Sequence, residues 1–233
     1  MLSHGAVASR FLGEDVVYEA FTDWTKARVR PEVKAVLGML AKLTRQPQDF
    51  GPADMAPLLA LKIPLAAIEQ AVVVGGYIFN YQNRMADALG ADIPQDKVKR
   101  AGAMLNLSGR AMLSDRQGEG DWAASNGAIP AEVQTMMESV VNGPGDTDTD
   151  LRQAVFRRGM AYLGFSEPNT DLPDGLTAYV DAITAHAAKI TDQDVADLLA
   201  AGWSEAEVFE VTAAASVAAG YGRLKIAWAA LGA

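Results

Sequence analysis

The sequence predicts an all-α protein, and three observations carry that prediction. Alternating runs of β-branched and aromatic residues are missing; Ala, Leu, Glu, Gln and Met recur at helical spacing; and prolines and glycines fall where helices would start and stop. Pro31 opens an amphipathic helix with Val33, Val36, Leu37, Leu40 and Leu43 on one side. Pro52-Ala53-Asp54 starts a short helix expected to turn Met55, Leu58 and Leu59 inward. Pro64 starts a long one that reaches about Gly90, the residue type that ends helices.

Inside that long helix, "GGYIFNYQNRMADALG" (75–90) carries four polar residues: Asn80, Asn83, Arg84 and Asp87. At about 100° per residue, Val74, Ile78, Tyr81, Met85 and Leu89 would form the apolar stripe. Asn80 and Arg84 are one turn apart, as are Asn83 and Asp87, and Arg84 can reach Asp87 three residues on. Burying such groups unpaired costs about 1–3 kcal/mol each, so partners are required. One reading is a strip bonded to a neighbouring helix or a second subunit, with Arg84 paired to Asp87. The other makes all four residues the polar wall of a substrate-binding pocket.

The chain also repeats itself. "DMAPLLALKIPLAAIEQAVVVGGYIFNYQ" (54–82) lies over "DVADLLAAGWSEAEVFEVTAAASVAAGYG" (194–222) at a constant shift, with Asp54 over Asp194, Ile68 over Val208 and Tyr81 over Tyr221. Both copies close on Leu-Gly-Ala. Upstream, 37–50 matches 177–190 in apolar pattern, and 4–11 resembles 152–159. Without gaps, Gly220, Leu224 and Ala227 stand where the first copy has Asn80, Arg84 and Asp87. A working pocket would therefore belong to the first copy. The Gly-rich stretch 116–130 is the natural breaker between copies, giving a first unit at 1–116, a linker at 117–129 and a second unit at 130–233.

Composition excludes several functions. A net charge of −9 and scattered basic residues argue against nucleic acid and anionic membranes as partners. With no cysteine, disulfides, thiolate metal sites and cysteine nucleophiles are ruled out for the chain as written. Two histidines, His4 and His186, cannot make a three-histidine zinc site, and no metal or cofactor is called for. No leader or membrane span is legible, so a cytoplasmic protein is expected. Asp146, Asp148 and Asp150 alternate like the start of a calcium loop but lack its glycine and distal glutamate; a solvated loop ending in a helix cap is the better reading. His186 reads as a cation at a helix end. Trp24, Trp122, Trp203 and Trp228 read as core or interface anchors. Nucleotide, metalloprotease and nucleophile-elbow motifs are missing.

The order of "KLTRQPQDFGPADM", the apolar helix after it and Asn-x-x-Asn-Arg-x-x-Asp-x-Leu-Gly resembles the alkylhydroperoxidase D-like, peroxidase-related branch of the carboxymuconolactone decarboxylase superfamily. The likeness covers residues 3–91 most closely, and the second copy resembles cysteine-free members. It implies two tandem alkylhydroperoxidase D-like modules, assembly into a homo-oligomer and room for a small-molecule ligand.

The family's thiol enzymes carry Cys-x-x-Cys with a histidine four residues after the second cysteine, so that an imidazole can exchange a proton with a thiolate. "SHGAVASRF" is similar to the tail of that motif and places His4 at the catalytic histidine position, with both cysteines falling before Met1. The expectation is a family protein without thiol peroxidase activity in this chain, acting as a scaffold or ligand-binding homologue. Two alternatives remain open at this point: a shortened hydroperoxide-reducing enzyme, and a non-thiol acid–base enzyme of decarboxylase or lactonase type using His4, carboxylates and Arg84.

Overall fold

A computed structural model describes Ser9, residues 13–90 and residues 129–232, and every regular element among them is helical. His4, Trp122 and the expected linker, Ile129 excepted, lie outside the described residues. Helix α1 spans Glu14–Asp23 and α2 spans Pro31–Arg45, with proline opening α2 as expected. A 3-10 turn (Pro47–Asp49) leads to α3 (Pro52–Ala60). Helix α4 (Leu65–Ala71) then runs through a π-helical stretch (Val72–Ile78) into α5 (Phe79–Ala88). Beyond the undescribed segment come α6 (Ala131–Asn142), α7 (Thr149–Tyr162) and α8 (Leu176–His186). A second 3-10 turn (Ala187–Lys189) precedes α9 (Asp192–Ala200) and the long α10 (Glu205–Leu231).

Small details recur 140 residues apart. The two 3-10 turns begin at Pro47 and Ala187, α3 and α9 at Pro52 and Asp192, and α4 and α10 at Leu65 and Glu205. Asp54 accepts the Gly51 N–H at 3.0 Å, and Asp194 accepts the Thr191 N–H at 2.7 Å, each closing a helix start. The corners match too. Ile63 N–H returns to the Leu58 carbonyl and Trp203 N–H to the Leu198 carbonyl, each at 3.1 Å. Those corners need a left-handed residue, which is Gly202 at one and Lys62, at φ 55°, at the other.

Helix α10 is buried on every side from Val211 to Gly220, which fits a segment made almost wholly of Ala, Val and Gly. It packs against α7 and α8 and, on its other sides, against α3, α6, the π stretch and α5. Small residues allow this approach: a Cβ on Gly220 would stand 2.9 Å from the Tyr77 carbonyl oxygen, and one on Gly159 would stand 2.7 Å from the Ala218 Cβ.

Two apolar cores result, and each borrows from the other half. The first gathers Met39, Leu43, Leu58, Ile68 and Tyr77 but also Leu224, Ala227 and Trp228 from the end of α10. The second gathers Val155, Val180, Ile183 and Val211 but also Ala88 from the end of α5. Trp203, expected as a core or interface anchor, packs against this second core.

Two expectations need correction. Met55 and Leu58 do point inward, but Leu59 is 55% exposed, because α3 turns a single narrow face to α2 and α10. The aspartate loop is not ordered by a side-chain cap either: Asp148 precedes α7 without capping it. Instead the Glu210 carboxylate from α10 accepts the N–H groups of Asp146 and Thr147 at 2.8 Å and pairs with Arg152 at 3.2 Å. These bonds and the Arg152 charge hold its carboxyl below the usual range despite burial. Among the described residues no helix is long and apolar enough to cross a membrane.

Candidate functional site

The polar residues of the long first helix sit on two different faces. Asn80 and Arg84 are on the buried face, with Tyr77 before them and Ala88 after, whereas Asn83 is half-buried and Asp87 is exposed. The expected apolar stripe is displaced accordingly: Val74, Ile78, Tyr81 and Met85 are only half-buried, and Leu89 is exposed. The physical cause is the π stretch. Its hydrogen bonds reach one residue farther back, as from the Phe79 N–H to the Val74 carbonyl, and this rotates everything downstream relative to a continuous α-helix.

Asn80 closes the far side of that stretch, donating from Nδ2 to the Gly75 carbonyl at 3.0 Å and to Thr44 Oγ1 at 3.2 Å. Arg84 donates from Nη1 to the carbonyl of Ile183, in the last turn of α8. Among the described residues no ion pair joins Arg84 to Asp87, so that expected pairing is replaced by a main-chain acceptor. Asp87 acts on Arg84 only through its charge.

Arg223, in α10, does the complementary job. It donates from Nε and Nη2 to the Thr44 carbonyl in the last turn of α2, at 3.3 and 3.2 Å. It also reaches the Thr184 carbonyl at 3.3 Å and the Ala219 carbonyl at 2.8 Å. Carbonyls in the last turn of a helix lack intrahelical donors and form the negative end of its dipole, so a buried guanidinium is well received there. Thus Arg84 from the first half holds the end of α8, and Arg223 from the second half holds the end of α2.

Only 7% of Arg84 and 2% of Arg223 is exposed. Burial draws the Arg84 guanidinium down to about 10, and burial together with the Arg84 charge draws Arg223 down to about 9. Both stay protonated at neutral pH, each carrying its charge in a poorly hydrated place. Among the described residues Arg84 Nε has no acceptor, and neither has the hydroxyl of Tyr77, which is fully buried edge-on to Tyr221.

Sequence reasoning missed Arg223. An ungapped comparison sets Arg84 over Leu224, but the extra residue taken up in the π stretch makes Arg223 the functional counterpart of Arg84. The signal available was a lone arginine in the run "AASVAAGYGRLKIAWAAL". The acid–base reading gains from an approach of His4 or Arg84 to Asp87, Asp15 or Glu19; Arg84 meets a carbonyl instead and Glu19 is engaged by Arg28 Nε at 2.9 Å, while His4 lies outside the described residues. His186 closes α8 and is exposed, away from both arginines' acceptors by two residues or more of chain.

Sequence reasoning also missed an open groove of about 350 Å³ between α8 and α9, bordered by Asp174, Tyr179, Lys189, Asp194 and Asp197. Among the described residues no group of three or more histidines, cysteines, aspartates or glutamates is placed to hold a metal ion. Compared with protein-family models, with curated proteins and with solved structures, the chain shows no match.

Proposed function

We propose that the chain is a carboxymuconolactone decarboxylase-like, alkylhydroperoxidase D-like protein built from two copies of one helical module, and that it acts as a scaffold or ligand-binding homologue without thiol peroxidase activity. The recurrence of turns, helix starts and left-handed corners at a spacing of 140 residues supports the duplication. The observation that carries the functional reading is what Asn80, Arg84 and Arg223 bond: Arg84 and Arg223 each donate to a helix-end carbonyl of the other half and so tie the halves together, while Asn80 donates to Thr44 and Gly75 within the first half, instead of facing a substrate. The chain has no thiol with which to attack a peroxide, since it contains no cysteine.

On this reading the polar strip belongs to the architecture, and assembly is into a homo-oligomer in the cytoplasm. Long helices with small-residue faces permit close helix approach of that kind. The test is turnover of an organic hydroperoxide by the purified 233-residue chain with a dithiol reductant present. Consumption no faster than in buffer is expected; a rate that scales with protein concentration overturns the proposal. Light scattering after size exclusion gives the assembly state, and a monomer at all concentrations removes the oligomer from it.

A further inference from the structure

The groove between α8 and α9 has a counterpart in the first half, and there it is filled. At a spacing of 140 residues, Ala178 corresponds to Gly38, Ala182 to Lys42 and Asp194 to Asp54. In the first half the Lys42 ammonium bonds both Asp54 oxygens, at 2.7 and 2.8 Å. The Trp24 indole lies directly on Gly38, where an added Cβ would come within 3.0 Å of the ring. Lys34 fastens this segment by donating from Nζ to the Thr25 carbonyl at 3.0 Å.

The second half keeps the carboxylate and removes the occupants. Asp194 still closes the start of α9 through Oδ2, which takes the Thr191 N–H and hydroxyl at 2.7 Å. Its position is exposed where Asp54 is half-buried, because alanine stands at 182 where the first half has the covering lysine. Asp174 replaces Lys34, so a wall that is cationic in one half is anionic in the other. The floor of the groove is apolar, formed by Ala178, Ala182, Leu198 and the ring of Tyr179, whose hydroxyl is turned away to Thr212 Oγ1 at 2.8 Å. Three aspartates against Lys189 leave the rim negative.

We infer that this groove binds a small arylalkylamine: its primary ammonium meets Asp194 as Lys42 meets Asp54, and its aromatic ring lies on Ala178 as Trp24 lies on Gly38. A volume near 350 Å³ accommodates an indole with a two-carbon amine stem. The charge-assisted bond to the carboxylate selects the cation, and the apolar floor selects the flat ring. The site does not depend on the family reading, and hydroperoxide turnover says nothing about it.

The test is a calorimetric titration of the full chain with tryptamine, beside N-acetyltryptamine, which keeps the ring and loses the charge. Saturable binding of tryptamine is expected, with the acetylated compound at least tenfold weaker. Ala182→Lys, which supplies the ammonium from within, is expected to weaken tryptamine binding at least tenfold at unchanged helical circular dichroism. Asp194→Asn, which keeps an acceptor for Thr191 but not the charge, gives the same loss if the lysine variant fails to fold. No saturable binding at millimolar tryptamine overturns the inference. So does equal binding of the acetylated compound, or full affinity in a folded variant.

Discussion

The two long helices at the centre of this protein begin alike and then diverge. Helix α10 continues from Glu205 to Leu231 without interruption, while its counterpart changes to π geometry over Val72–Ile78 before resuming at Phe79. Gly75 and Gly76 sit in that stretch, with the Leu40 and Leu43 side chains of α2 pressed against them, and Asn80 takes the carbonyl that the wider turn leaves over. The consequence is positional. One additional residue brings Arg84 to the buried face and lets it reach α8, just as Arg223 reaches α2. A local change in helix type thus restores a matched pair of cross-ties that the aligned sequences do not display.

The two ties are not equal, and mutation should expose the difference. Arg223 serves three carbonyls and is the more deeply buried, whereas Arg84 is bonded to one and, among the described residues, keeps an idle Nε. Arg223→Ala should cost about 3–5 kcal/mol in urea unfolding, through the cavity and the stranded acceptors. Arg84→Ala should cost about 1–3 kcal/mol. Equal losses, or a smaller loss at Arg223, would mean that the hydrogen-bond inventory does not rank them.

Much of this architecture was legible before any coordinates. Prolines 31, 52 and 64 marked helix starts, and Asp54 over Asp194 marked two matching ones, because capping chemistry is local and repeats with the sequence. The π stretch was not legible: a one-residue change of helical register leaves no gap in an alignment, so the expected apolar stripe and the Arg84–Asp87 pair are not found, although Asn80 and Arg84 do bond neighbouring helices. Arg223 was hidden for the same reason. The groove was hidden because it is defined by what is small at Ala178 and Ala182, and because its occupant in the first half, Trp24, comes from outside the aligned segment.

The next largest effect should come from the contact between the two long helices. Gly220→Ala places a methyl 2.9 Å from the Tyr77 main-chain oxygen, which only a backbone shift can relieve, and should cost about 1–3 kcal/mol. A neutral outcome would show that the π stretch yields more readily than an α-helix would.

Alkaline titration sharpens the comparison in both halves at once. Burial raises the phenols of Tyr77 and Tyr81 in the first helix and of Tyr179 and Tyr221 in the second half. An acid raised in the folded state is released first by the unfolded chain. The stability these phenols contribute should therefore be undiminished below about pH 10, the ordinary tyrosine value, and fall as pH rises past it, whereas the lowered guanidiniums of Arg84 and Arg223 act in the opposite sense above about pH 9. Followed by ultraviolet absorbance, these phenolates should appear together with loss of helical circular dichroism. Ionisation of all four with the helices intact would contradict their burial.

The smallest effect is expected at Lys42. Its pair with Asp54 is partly open to water, at 36% and 19% side-chain exposure, so Lys42→Ala should cost less than about 1 kcal/mol. Since the second half already has alanine at the matching position, a large loss would show that the two grooves are not comparable.

Arg84, Arg223 and the exchanged helix ends should bind the two halves into one cooperative unit. Native-state hydrogen exchange addresses this directly through the amides of α2, α5, α8 and α10. The slowest amides of both halves should share one opening free energy, equal to that of global unfolding, and Arg223→Ala should lower it in both halves by the same amount. If α8 and α9 exchange through an opening that leaves α2 and α3 protected, the halves are separate folding units and the cross-ties do not join them.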